Sequence, residues 1–141
     1  MSESPRRRAR ELVLQALYAA EIEELDREGI FNDVVASQEL SEKNLTFAHE
    51  LFTLTCCHRK WADDCIASLA TNWDISRLAD IDRNIMRMAL VEIEHVPDTP
   101  VKVVLNESIE LAKRFSTSES SGFINGILDS YVKGREKSNK S

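Results

Sequence analysis

Apolar residues return every three or four positions along almost the whole of this chain, and nowhere do they alternate one by one. That spacing lines one face of an α-helix, whereas a half-buried strand needs a period of two. Only four Gly and three Pro punctuate 141 residues, so helices of ordinary length fit between the breaks. The expectation is an all-α fold of six or seven helices. With 43% hydrophobic residues the chain can bury a real core, and one compact domain is the default for its length.

Ser4 and Pro5 read as a helix start, because Ser caps free N–H groups and Pro at the first helical position sacrifices no hydrogen bond. From there Ala9, Leu12, Val13, Ala16, Leu17 and Ala20 form one apolar face of a helix running to about residue 26. Arg7, Glu11, Leu14 and Tyr18 fall away from that face, placing Leu14 and Tyr18 to meet a second helix layer. Gly29 breaks the pattern before a short helix with Ile30, Phe31, Val34 and Val35. Ser41 then caps a long helical stretch in which Phe47, Leu51, Leu54, His58, Cys65, Ile66 and Leu69 keep the period to about Trp73, with a kink near residue 60. Residues 80–95 form another helix, with Ile81, Ile85, Met88, Ala89 and Ile93 inward, and Pro97 ends it. Thr99 and Pro100 repeat the cap-then-proline start of a helix that buries Val101, Val104, Leu105, Ile109, Ala112 and Phe115.

The run STSESS at 116–121 is a polar loop able to cap the last helix, which carries Phe123, Ile124, Ile127, Leu128 and Tyr131 and frays at Gly134. Asn125 and Gly126 interrupt its apolar neighbours. In a helix interior Gly costs about 1 kcal/mol against Ala, and a buried Asn amide must find partners. Gly126 is therefore expected to permit a close helix approach, and Asn125 to tie a neighbouring backbone.

Reactive chemistry is not indicated. Cys56, Cys57 and Cys65 fit reduced thiols, with Cys56 and Cys57 as small core residues, better than a disulfide framework. His49 and His58 lie nearby, but adjacent cysteines on a helix point about 100° apart and no CxxC pair is present, so no metal site is expected. A phosphate-cradling glycine loop, a nucleophile elbow and an HExxH helix are missing, and the carboxylate pairs Asp80 with Asp82 and Glu107 with Glu110 read as solvated faces of an acidic body. No catalytic site and no cofactor are expected. The sequence holds neither an 18-residue apolar run nor a secretory leader, so a cytoplasmic protein is expected.

Charge becomes informative once it is divided along the chain. The net charge is −6, yet residues 1–10 carry +3 and residues 133–141, with Lys133, Arg135, Lys137 and Lys140, also carry +3, leaving −12 in between. Four of the eighteen cations are Arg6, Arg7, Arg8 and Arg10. Cations on a first turn oppose the helix dipole, which favours acidic side chains there. An anion resolves the conflict, since guanidiniums and the free N–H groups of a helix start both attract phosphate.

Four stretches together carry a resemblance: RRRARELVLQALY at 6–18, DRNIMRMALVEI at 82–93, PVKVVLNESIELAKRF at 100–115 and FINGILD at 123–129. In this order and spacing they resemble the NusB family of bacterial transcription antitermination factors over nearly the whole chain, residues 21–45 being the least similar. The resemblance implies two helical-bundle subdomains, here about 5–75 and 76–134, with a flexible basic tail at 135–141. It also implies binding of single-stranded boxA RNA in nascent ribosomal RNA transcripts, jointly with NusE, a small-subunit ribosomal protein, so that RNA polymerase in the antitermination complex reads through terminators. Some family members dimerise, which extends to this chain a free-state homodimer able to mask the RNA surface.

Carried over by position, the RNA-binding residues are Arg6, Arg7, Arg8 and Arg10, followed by Gln15 on the same helix and by Phe115, Glu119 and Phe123 around the loop before the last helix. Phe123 offers a face for base stacking. Several relatives carry a basic residue where this chain has Gly122. Asp82 and Arg83 are the carried-over contacts to NusE. Four phosphate contacts on a single strand imply a salt slope near −3, at roughly −0.7 per contact. Two other classes compete: a helical adaptor that binds proteins only, and the helical domain found in some ribosomal-RNA cytosine methyltransferases, which needs a further Rossmann-like domain.

Overall fold

The computed structural model describes residues 5–22, 26–71 and 78–139, and among them are seven helices and no strand. In chain order these are α1 (Pro5–Ile22), α2 (Arg27–Val35), α3 (Glu42–Cys57), α4 (Arg59–Leu69), α5 (Asp80–His95), α6 (Val101–Phe115) and α7 (Ser118–Asn139). Ser4, Trp73 and Lys140, to which the sequence assigns a cap, a helix end and a tail charge, lie outside the described residues. None of the described helices is long and apolar enough to cross a membrane.

The helices fall into two compact units on either side of the Cys57–His58 junction. In the first, α1 packs against both α2 and α3. All six residues of its expected apolar face are buried, and so are Leu14 and Glu11, whereas Tyr18 is exposed. A helix flanked by two others is covered over more than one stripe, which is why Leu14 goes inside although the wheel sets it apart. Gly29 does not break the pattern: α2 begins at Arg27, and the Asp26 carboxylate caps it by accepting from the Gly29 N–H at 2.9 Å. Ser41 caps α3 as expected, accepting from the Asn44 N–H at 3.2 Å.

The expected kink near residue 60 is a full break at His58, which stands at the N-cap of α4. α4 then packs on α5 and α7, so it groups with the C-terminal helices rather than with the segment preceding it. α5 is the centre of the second unit: α4, α6 and α7 all pack on it, and every residue from Asn84 to Ile93 is buried. Cys57 is exposed and Cys56 half-buried, so the expectation of core cysteines fails for Cys57. At the start of α6 the residue at the N-cap is Pro100, with no side-chain cap, rather than Thr99.

Three expectations for the last helix also change. α7 takes in four residues of the polar run, and Thr117 caps it by accepting from the Ser120 N–H at 3.1 Å. Asn125 and Gly126 are both exposed, and a Cβ added at Gly126 meets nothing within 4 Å, so neither serves a close helix approach. Nor does the helix fray at Gly134. It continues to Asn139, and Arg135 donates to Glu94 of α5 at 2.6 Å, anchoring what the sequence reads as a tail.

Candidate nucleic-acid interface

The four arginines of α1 have different surroundings. Arg6, Arg7 and Arg8 are half-buried, whereas Arg10 is only 3% exposed. Beneath them stands Phe47 of α3, with the guanidinium carbon of Arg6 4.1 Å and that of Arg10 5.1 Å from its ring centroid. Arg6 and Arg10 are one turn apart, so they share a face of α1 and can meet one ring. Arg8 is fixed by other means: one terminal nitrogen donates to Glu11 at 3.0 Å and the other to Gln38 at 2.7 Å. Glu11, 1% exposed, thus brings a buried negative charge to the turn whose dipole lacked one. Gln15, the remaining candidate on this helix, is exposed.

Phe47, Gln38 and Glu11 were not identified as site residues from the sequence. Phe47 and Leu51 share the α3 period, so Phe47 reads as plain core. The cations that cover it come from another helix, and no local pattern announces them.

In the second unit the ends of α5, α6 and α7 bring together a second set. Asp82 is 5% exposed, which corrects its reading as a solvated carboxylate. Its Oδ2 accepts from the Ser120 hydroxyl at 2.8 Å, and that hydroxyl accepts in turn from Thr117 at 3.0 Å, so a short chain of hydroxyls ties the start of α7 to the start of α5. Arg83 is half-buried and pairs with Asp80. Asp82 Oδ1 and Arg83 Nε are buried without a hydrogen-bond partner. Phe115 is exposed, against its expected place on the buried side of α6, with Arg114 lying 5.5 Å from its ring. Glu119 is exposed, and Phe123 is half-buried and lines a shallow groove with Gly122, Gly126 and Leu69.

Two further networks in this unit are structural. Arg87, nearly buried on α5, makes a bidentate pair with Asp63 of α4 at 2.7 and 3.0 Å and donates to Asn84 at 3.0 Å. Tyr131 donates to Glu94 at 2.5 Å, and burial, followed by that hydrogen bond, pushes its phenol well above the ordinary range. Burial and the neighbouring Asp64 and Glu94 likewise push the Cys65 thiol up, which keeps it protonated and a poor nucleophile.

A family model described as the NusB family matches residues 7–133. The chain belongs to the NusB family. A NusB relative, transcription antitermination protein NusB of Dehalococcoides mccartyi (strain CBDB1), is 40% identical over 128 residues, covering 91% of this chain and 90% of its own. A second relative, of Symbiobacterium thermophilum, is likewise a transcription antitermination protein NusB, 41% identical over 137 residues and covering 92% of this chain and 90% of its own. Among solved structures, NusB of T. maritima superposes with a TM-score of 0.84 at 33% identity, over 94% of this chain and 93% of its own. A structure of the antitermination factors NusB and NusE in complex with double-stranded RNA matches with a TM-score of 0.82 over 92% of this chain and 97% of that one. At 21% identity that last likeness establishes the NusB fold alone.

Proposed function

We propose that this protein is a transcription antitermination factor that binds boxA-type single-stranded RNA of nascent ribosomal RNA transcripts jointly with NusE, and so promotes read-through by RNA polymerase. The observation that carries the reading is the arginine end of α1, where Arg6, Arg7 and Arg8 stand half-exposed on a helix start of an otherwise acidic chain. Guanidiniums and free helix N–H groups there attract phosphate together. Arg10 supports them from below, and exposed Gln15 extends the same helix. In the second unit, Phe115 and Phe123 offer ring faces to bases, with Glu119 between them in sequence. A related structure holding NusB, NusE and RNA supports both partners.

Asp82 and Arg83 are the proposed contacts to NusE. Each has a buried polar atom without a hydrogen bond, a condition that costs about 1–3 kcal/mol per atom and that an incoming polar group relieves. The −12 charge between the basic ends suits a basic ribosomal protein.

The test is a titration of fluorescently labelled boxA-type single strand, and of a duplex of the same sequence, with NusE present and omitted. Tighter single-strand binding with NusE is expected. Binding of NusE with no RNA binding in any combination favours the protein-only adaptor and overturns the proposal.

A further inference from the structure

Phe47 is 6% exposed, and two guanidiniums of α1 lie against its ring. Two guanidiniums one turn apart on the same helix repel each other and, left alone, splay toward water. An aromatic ring carries negative charge on its face, so a ring under both offsets the repulsion and holds them together. The contact is strongest for a desolvated cation, and Arg10 is the desolvated one, which makes it the fixed member of the pair.

We infer that Phe47 is the positioning residue of the arginine end: its ring, clamped by buried Arg10, holds the half-exposed guanidinium of Arg6 in the pose that receives phosphate. The inference rests on the RNA reading above and says how that site is built. A guanidinium is planar and its N–H groups point outward in its own plane, so a ring against one face leaves that rim for phosphate oxygens. Ordering the arginine before RNA arrives removes part of the entropy that a long free side chain loses on binding. The number of phosphates neutralised is unchanged, so the ring acts on affinity and not on the salt slope.

The experiment measures affinity for labelled boxA-type single strand over a salt series for Phe47→Leu, Phe47→Tyr, Arg6→Ala, the double variant Arg6→Ala with Phe47→Leu, and Phe52→Leu. Phe52 is a buried ring of the same helix that packs on Phe31 and stacks with no arginine among the described residues, so it reports the effect of losing core volume alone. Phe47→Leu is expected to weaken binding about three- to fivefold at every salt concentration with the slope kept. Phe47→Tyr restores the affinity, Phe52→Leu leaves it unchanged, and in the Arg6→Ala background Phe47→Leu loses most of its effect. The inference is overturned if Phe47→Leu binds like the parent, or if Phe52→Leu weakens binding as much.

Arg6→Ala without any effect on affinity or slope overturns the RNA reading of that arginine together with the inference, whereas a silent Phe47→Leu beside an effective Arg6→Ala removes the inference alone. Should Phe47→Leu fail to fold, Phe47→Met takes its place. The upfield ring-current shift of the Arg6 side-chain protons in the parent, read by NMR without RNA, must be present in any case, and its absence refutes the stacked pose.

Discussion

Salt dependence separates the arginines that can reach phosphate from those that cannot. If all four α1 arginines met single-stranded RNA, the slope of log affinity against log salt would be near −3. The structure argues for fewer. Arg10 is 3% exposed and lies on Phe47, and Arg8 commits both terminal nitrogens, one to Glu11 and one to Gln38. At most two contacts remain, and at roughly −0.7 each they give a slope no steeper than about −1.4. Between about 50 and 200 mM salt, affinity then falls about sevenfold, against about fiftyfold for four contacts. Fluorescence anisotropy of a labelled boxA-type strand at four salt concentrations measures this directly, with circular dichroism to confirm folding. Arg6→Ala should flatten the slope by about 0.7, while Arg10→Ala should leave it nearly unchanged and lower the melting temperature instead. A parent slope near −3 that Arg10→Ala flattens as much as Arg6→Ala does would refute the argument from burial.

Gly126→Ala should stabilise the fold by about 0.5–1 kcal/mol, because the site is exposed and helical with nothing near an added Cβ, and urea unfolding showing a loss instead would contradict that placement. Asp63→Ala should cost about 3 kcal/mol, since it removes the bidentate carboxylate from the nearly buried Arg87, and the lower end of the usual range applies because Asp63 itself is partly open to water; a thermal shift no larger than that of a surface pair would show the bridge to be idle. Tyr131 holds its proton in the fold beyond its ordinary pKa of 10.0, so its stabilising contribution is complete below that pH and is lost as the pH rises further. Unfolding measured from pH 8 upward should show a steeper decline in the parent than in Tyr131→Phe, where the raised Cys65 thiol still contributes its own share.

Helices were legible wherever the signal is local. The apolar stripe of α1, the Ser41 cap and the stop before Pro97 depend on residues within a turn of each other, and each appears in the structure where the chain places it. Burial of polar residues was not legible, because it depends on which helices arrive. Asp82, Asn84 and Arg87 lie on a helix covered from three sides, and the partners of Asp82 Oδ2 and of Arg87 come from α7 and α4, far away in sequence. Asn125 and Gly126 are the reverse case. The buried positions Ile124, Ile127 and Leu128 define the inner face of α7, and steps of about 100° carry 125 and 126 to the outside, so the wheel contained the answer and the apolar composition of the neighbours obscured it.

The arginine end shows how the fold tolerates a charge pattern that helix electrostatics disfavours. A first turn without an acidic residue receives its compensation from partners that are not in that turn: Glu11 on Arg8, Gln38 beside it, and the face of Phe47 under Arg6 and Arg10. Those partners neutralise or bury the inner arginines and leave the outer ones half-exposed, so the cluster is narrower as a phosphate site than its sequence suggests. Attraction of that kind does not depend on base identity, because every phosphate is alike to a guanidinium. Under the proposed function, choice among RNAs therefore has to arise where bases can be met, at ring faces such as the proposed Phe115 and Phe123 and on the surface that NusE would add, which is why the predicted gain in the presence of NusE should be larger for boxA than for an unrelated strand of equal length.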